Sequence, residues 1–307
     1  MCCDIYRTYR NLANLPSGSS HGKSIKSCFR ARDGWLFCGA DYAALEDKVG
    51  AEITCDKNKQ KEFLEGYDGH SLRAYAFFKE EIDEALGEEL DIDDPASINR
   101  IKEELPDIRA KSKSPSFAMA YGSGAGKIQQ LLKCSKAKAE SVFNAYHNLY
   151  AGTAVYAERN VTLAKRQGYV TGAFGLKLRT PGINSTDSGK ASAEGRSLNN
   201  MTIQSYGLLT TRASIWFNER IELDGMTNDV LLINNIHDAI YVECKNNIEV
   251  VQWVNKNLIE CMTVDYKENQ LIKLTAELDI GTSWDKQKTI ANDISDAELS
   301  SILQELE

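Results

Sequence analysis

The sequence predicts an α+β protein, and three observations carry that expectation. Two apolar runs end at aspartates: Trp35 to Gly39 leads to Asp41, and VLLINNI leads to His237-Asp238, with IYVEC following. Residues 127 to 166 alternate apolar and polar side chains at helical spacing. In RAKSKSPSFAMAYG, Arg109 to Gly122, the landmarks Arg109, Lys113, Phe117 and Tyr121 recur every four residues, which stacks them on one helix face. Two cations followed by two aromatic rings suit a ligand with a polyphosphate tail and a flat base, and a nucleoside triphosphate is such a ligand.

The chain has 307 residues, 42% hydrophobic and 26% charged, enough to bury a substantial core in one large domain or two. No apolar run reaches the roughly 18 residues of a membrane helix, and MCCDIYRTYR has no signal-peptide core. A cytoplasmic protein with no membrane partner is expected. The eight cysteines include the adjacent pair Cys2-Cys3 but no C-x-x-C, so they read as reduced thiols rather than a structural metal site.

The formal charge of -8 conceals a strong local imbalance. Arg109 to Lys138 carries seven Lys/Arg and no Asp/Glu, and Met1 to Trp35 carries six basic residues against two acidic. Lys79 to Asp107 carries twelve acidic and three basic residues. Local potential rather than the total attracts phosphates. The basic stretches are therefore candidate DNA and nucleotide surfaces, and the acidic stretch should face solvent.

In chain order, NLANLP (Asn11 to Pro16) and a Ser/Gly loop precede the first apolar run. After Asp41 the chain should leave a strand and enter a helix. Tyr67 to Phe78 is amphipathic and helical after Asp68, and Asp94-Pro95 marks a turn before a short helix. Pro115 interrupts the four-residue repeat. Either it kinks one helix, or Ser114 caps a second helix that starts at Pro115. The stretch GSGAGKI fails the P-loop pattern, because Ile128 stands where a hydroxyl is needed, and reads as a helix-terminating loop. GYVTGAFGLKLRTPGINS from Gly168 has hairpin composition. Arg196, Asn200 and Gln204 recur every four residues in RSLNNMTIQS, and NNIEVVQWVNKNLIECM is an amphipathic helix.

The order Arg109, Lys113, Phe117, Tyr121-Gly122 resembles motif B of the family A DNA polymerases, the DNA polymerase I family. GADYAALEDK resembles that family's motif A, D-Y-S-x-x-E-x-R, and His237-Asp238-Ala239 resembles motif C, usually His-Asp-Glu at a hairpin tip. NLANLP resembles N-L-Q-N-I-P, Asp68-x-His70 resembles the D-x-H before motif B, and Arg196, Asn200 and Gln204 resemble the R-x-x-x-N-x-P-x-Q-G helix. The departures, Ala239 for glutamate and a thinned basic run at Lys177 and Arg179, resemble phage members.

The resemblance implies a right-hand palm, an antiparallel sheet with helices, at 1–48 and 191–287, and mostly helical fingers at 49–190. An acidic C-terminal tail at 288–307 either forms a short amphipathic helix that binds a partner or, as expected of a chain end, is frayed. The thumb and exonuclease domain are expected to be lacking. The implied activity is template-directed addition of deoxynucleotides to a primer 3′-OH, with pyrophosphate released. Asp41, Asp238 and the Tyr42 carbonyl would hold two Mg²⁺ ions. Arg109, Lys113 and His70 would meet the triphosphate, Phe117 and Tyr121 the sugar and base, and Glu46 would exclude a ribose 2′-OH. Arg196, Asn200, Gln204, His237 and Asn14 would contact primer-template DNA. Two aspartates can bridge both metals, so Ala239 implies a tuned enzyme. The alternatives are a split or truncated subunit whose protein partner supplies the thumb or exonuclease, and an inactive DNA-binding remnant. A single-subunit RNA polymerase is disfavoured by Glu46 and Phe117.

Overall fold

The computed structural model describes residues 20–306. Asn14 and the rest of NLANLP, with Arg7 and Arg10, lie outside the described residues. The chain divides into two compact units, one built from residues up to Leu45 and from Gly207 onward, the other from Glu46 to Tyr206.

The first unit opens with α1 (Ser20–Lys26) and β1 (Trp35–Tyr42). The second unit then runs through a helical series: α2 (Leu45–Thr54), α3 (Lys57–Leu64), α4 (Gly69–Leu86), α5 (Pro95–Glu104) and α6 (Pro106–Ala120). It continues with α7 (Ala125–Leu132), α8 (Lys136–Leu149) and α9 (Ala151–Gln167), a small hairpin of β2 (Tyr169–Thr171) and β3 (Lys177–Arg179), and α10 (Ser188–Gln204). The chain returns to the first unit with α11 (Leu208–Leu223), β4 (Val230–Ile236), β5 (Ala239–Lys245) and α12 (Ile248–Thr263), then β6 (Ala276–Ser283), β7 (Lys286–Ile290) and α13 (Asp296–Leu306).

In the sheet unit the strands are antiparallel in the order β4-β5-β1-β6-β7, so the first strand in the chain is the central one. Side chains alternate across a strand. Leu36, Cys38 and Ala40 are fully buried on one face, where α12 packs on the sheet. Phe37 points the other way into an aromatic group with Tyr241 and Trp284, and Gly39 and Asp41 share its face. Gly39 has a steric reason: a Cβ there would lie 2.8 Å from the Tyr241 ring.

The helical unit starts its helices as the sequence dictates. Asp56, Asp68, Asp94 and Asp187 each accept backbone N–H groups at a helix start, satisfying donors the helix cannot. Its core gathers Phe77, Phe78, Ile82, Ile98, Ile128, Val142 and Tyr146. The acidic stretch gives apolar side chains such as Ile82 and Ile98 to this core but keeps its carboxylates out of it: eleven of the twelve are exposed and Asp83 is half-buried.

Three features differ from the sequence expectations. The helix α6 runs unbroken from Pro106 to Ala120 with Pro115 inside it, so Ser114 does not cap a new helix. Proline forfeits one backbone hydrogen bond, but Pro115 lies on the buried face with Ser112, Ser116 and Met119, the serine hydroxyls donating to backbone carbonyls, and tertiary packing of that face outweighs local propensity. The C-terminal stretch is ordered: residues 286–290 form the edge strand β7, and Leu299 and Leu303 of α13 are buried. Their four-residue spacing gives the acidic helix an apolar stripe. Finally, residues 191–206 belong to the helical unit rather than to the sheet unit, because Ala164, Val170, Ile183 and Leu198 form one small core.

Candidate active site

Asp41 and Asp238 are brought together by strand pairing. Asp41 lies near the end of β1, directly opposite Ala239, the first residue of β5. His237 and Asp238 form the two-residue turn between β4 and β5, with Ile236 paired to Ala239. His237 takes a left-handed backbone, φ 56°, which non-glycine residues adopt at a cost of about 1 kcal/mol or more. A bulge between Leu232 and Asn234 twists the outer strand beside this turn.

The two carboxyl groups are within hydrogen-bonding reach of each other, and the Asp41 carboxyl is pushed up to about 6. Burial is the largest cause and the neighbouring Asp238 the next; an amide bond from Tyr42 opposes both. On the other side Asp41 pairs with Glu277 of β6, and Asp279 adds a further repulsion. Where the resembling motif has glutamate, Ala239 contributes only a buried methyl group.

No group of three or more His, Cys, Asp or Glu side chains is arranged to hold a metal among the described residues. The donors present still fit magnesium. Mg²⁺ is usually held by one or two carboxylates together with substrate phosphates and water, not by a complete protein cage. Two facing carboxylates that repel each other are relieved by a cation between them.

On α6, Arg109, Lys113 and Phe117 share one face, and Tyr121 caps the helix end. Phe117 and Tyr121 are about half exposed, at 50% and 49%, so the aromatic pair is not core packing. The Tyr121 hydroxyl donates to Glu46 Oε2 at 3.2 Å, joining two residues that the motif resemblance places at nucleotide selection. Gly122, next in the chain, is left-handed at φ +77°, and a Cβ there would stand 2.5 Å from the Arg196 carbonyl oxygen. Only glycine lets the end of α6 approach α10 this closely.

Arg109 is already engaged. Its Nε and Nη2 donate to the two oxygens of Asp68, each at 2.7 Å. Asp68 also accepts from the amide and hydroxyl of Ser71. Burial opposes ionisation of Asp68, but these bonds prevail and hold its carboxyl well below the usual range. The sequence marked Asp68 only as part of a motif; its pairing with Arg109 across 41 residues could not be read locally.

His70 sits two residues on, its ring edge toward Phe117 at 5.9 Å. Arg73 Nη2 lies 3.2 Å from His70 Nδ1. Arg73 is itself buried, with Nη1 donating to Glu62 Oε2 at 3.2 Å and to the Tyr150 hydroxyl at 3.0 Å. Sequence reasoning missed Arg73 and Glu62; the one available signal was the three-residue step from His70 to Arg73 on a helix.

Arg196 and Asn200 lie on α10, which Gln204 ends. Arg196 and Asn200 line a cavity of about 920 Å³ within the helical unit, together with Gly122, Tyr146, His147 and Lys165. Among the described residues no helix is long and apolar enough to cross a membrane.

The family model "DNA polymerase family A" matches residues 5–286. DNA polymerase I of Pseudomonas aeruginosa is 23% identical over 279 residues, covering 90% of this chain and 28% of the relative. DNA polymerase I of Deinococcus radiodurans is 27% identical over 277 residues, covering 89% and 26%, and the thermostable DNA polymerase I of Thermus aquaticus is 25% identical, covering 89% and 30%. The chain thus spans between a quarter and a third of these relatives. The polymerase domain of Pol1 from M. smegmatis, solved with DNA primer-template and dNTP, shares the fold with a TM-score of 0.75 at 24% identity, over 90% of this chain and 45% of that one. The match extends over nearly the whole chain, and the chain belongs to DNA polymerase family A.

Proposed function

We propose that the chain is a template-directed DNA polymerase that adds deoxynucleotides to a primer 3′-OH and releases pyrophosphate. The sheet unit is its palm and the helical unit its fingers. The observation that carries this reading is the facing carboxylate pair, Asp41 and Asp238, on a central strand and the adjoining hairpin tip.

Asp41 and Asp238, with the Tyr42 carbonyl, would hold two Mg²⁺ ions, which when bound supply charge neutralisation and lower the pKa of the primer hydroxyl. The chain's own residues do the rest. The two aspartates fix where the reacting oxygens lie. Arg109 is oriented by Asp68, and its Nη1, which makes neither Asp68 bond, is available to a phosphate oxygen. Lys113 adds charge and His70 a hydrogen bond, and together these groups would meet the departing pyrophosphate. Phe117 stacks on the sugar and base. Glu46, anchored by Tyr121, crowds the sugar 2′ position and selects deoxynucleotides. Arg196, Asn200 and Gln204 contact the minor groove of primer-template DNA, where acceptors are alike for all base pairs, and check shape rather than sequence. His237 and Asn14 contact the same DNA. The enzyme works in the cytoplasm of a bacterial or phage-infected cell.

The test is primer extension with Mg²⁺ and four deoxynucleotides at low salt, since phosphate contacts weaken steeply with salt. Extension should fall by about a thousandfold or more in Asp238→Ala, a barrier increase of about 4 kcal/mol, while DNA binding persists. Undiminished extension by Asp238→Ala overturns the assignment. A second reading assigns duplex gripping to a thumb supplied by a separate polypeptide. Extension that appears only when such a polypeptide is added selects that reading. Absence of extension under both conditions leaves a DNA-binding remnant.

A further inference from the structure

His70 is contacted at Nδ1 by a group that can only donate. Arg73 Nη2 lies 3.2 Å from that nitrogen, and a guanidinium has five N–H donors and no acceptor. The imidazole must therefore present a lone pair at Nδ1 and carry its proton at Nε2. Protonating Nδ1 would set two donors of like charge face to face.

Arg73 cannot swing away to accommodate that proton. Its guanidinium is buried, and Nη1 is held by Glu62 and by the Tyr150 hydroxyl. Glu62 in turn accepts from Tyr150 and presses against the backbone of Gly69, where a Cβ would lie 1.9 Å from its Oε2. The glycine immediately before His70 thus makes room for the carboxylate that holds the arginine. Nη1 thus takes Glu62 and the Tyr150 hydroxyl, Nη2 faces the imidazole nitrogen, and Nε is buried without a partner among the described residues.

The other charges around His70 act in the same direction or are spent. Arg109 and Lys113 face it from α6, and Phe117 of α6 closes one side of the ring. Asp68, the one carboxylate acting on it from its own helix start, is engaged by Arg109 and Ser71. Ser112 Oγ donates to the His70 carbonyl and fixes the backbone there. Burial first, then Arg73 and Arg109, push the imidazole down to about 4.

We infer that Arg73 is a positioning residue that locks His70 as the neutral tautomer protonated at Nε2, a donor of one directed hydrogen bond to a nucleotide phosphate rather than a floating positive charge. The lock itself stands on geometry. Its use on a phosphate rests on the polymerase reading above.

Nitrogen-15 spectroscopy of the full chain tests it. There are four histidines, and His70→Gln assigns the signal. In the wild type without nucleotide, Nδ1 should appear unprotonated and Nε2 protonated, and neither should move between about pH 8 and pH 5.5, the window in which an ordinary histidine titrates. In the double variant Glu62→Gln/Arg73→Met, which removes both partners of the buried ion pair together, the His70 midpoint should rise by about one pH unit or more. A proton on Nδ1, titration of wild-type His70 near its ordinary value, or an unchanged midpoint in the double variant overturns the lock. Adding dATP then examines the use: wild-type affinity should be flat with pH across that window, and that of the double variant should strengthen as pH falls. A confirmed lock with a His70 signal indifferent to dATP removes the phosphate role and leaves the tautomer assignment standing.

Discussion

The carboxylates of the two units live under opposite arrangements. In the sheet unit Asp41 and Asp238 face each other, with Glu277 and Asp279 on the neighbouring strand, and mutual repulsion helps raise Asp41 to about 6. In the helical unit Asp68 is gripped by Arg109 and Glu62 by Arg73. In the proposed function the Asp41–Asp238 pair takes its cation from outside, although other carboxylates of that unit, such as Glu243 with Arg32, are paired internally. The helical unit supplies Asp68 and Glu62 with a cation from within. Charge left unpaired in a fold marks where the ligand must complete the electrostatics; charge paired in a fold marks where side chains are held for the ligand's arrival.

The largest effect should come from breaking a completed pair. Arg73→Met leaves Glu62 buried with the Tyr150 hydroxyl and the more remote charge of Lys59 as its favourable neighbours, at a site where burial already pushes the Glu62 carboxyl up. Removing one partner of a buried ion pair costs about 3–5 kcal/mol, to be read from denaturant unfolding. The double variant Glu62→Gln/Arg73→Met should recover most of that loss. Equal losses in single and double variants would mean that the arginine stabilises by packing, and the contrast between the units would then lose its electrostatic basis.

A smaller effect is expected at Asp68, which lies nearer the surface. Asp68→Ala removes a helix cap and the bidentate partner of Arg109, together about 2 kcal/mol at neutral pH. The pH dependence has a definite sign. A carboxyl with a depressed folded pKa contributes stability that is fully present above its unfolded value near 3.8 and is lost as pH falls toward the lower folded value. The gap between wild type and variant should stay constant from about pH 7 to pH 5 and narrow below about pH 4. A gap insensitive to acid would show that Asp68 acts through shape alone.

Much of this contrast was legible in the sequence, but unevenly. Strands ending in Asp41 and Asp238 announce themselves, because an apolar run followed by a carboxylate is a local signal and a two-residue turn fixes the register of a hairpin. The face of Arg109, Lys113, Phe117 and Tyr121 is equally local, set by the helical period. What was hidden is long-range. Arg109 meets Asp68 across 41 residues and Arg73 meets Tyr150 across 77, and no periodicity links such partners. Pro115 was misleading in the other direction: local propensity argued for a break, and burial of its face carried the helix through. The amphipathic character of the C-terminal helix was legible, but chain ends tend to fray, and the burial of Leu299 and Leu303 that anchors it is tertiary.

The smallest effect sharpens the comparison most, because its sign is opposite. Asp41 has a folded pKa raised from 3.8 to about 6, so ionising it costs stability in the metal-free protein, in full above about pH 6 and vanishing toward pH 4. Unscreened, that rise would correspond to about 3 kcal/mol; neighbouring atoms crowd the carboxyl, but the residue as a whole reaches solvent, and solvent screening reduces this to about 1 kcal/mol. Asp41→Asn, which abolishes primer extension in the proposed mechanism, should therefore stabilise the fold by about 1 kcal/mol at pH 8 without metal, with the advantage shrinking as pH falls to 4. Adding Mg²⁺ should raise the unfolding midpoint of the wild type and leave that of the variant nearly unmoved, since binding to the native state alone is what stabilises it. A variant less stable than wild type at pH 8 would mean that the strand end depends on the Asp41 carboxylate for structure, and the pair would no longer count as charge reserved for a ligand.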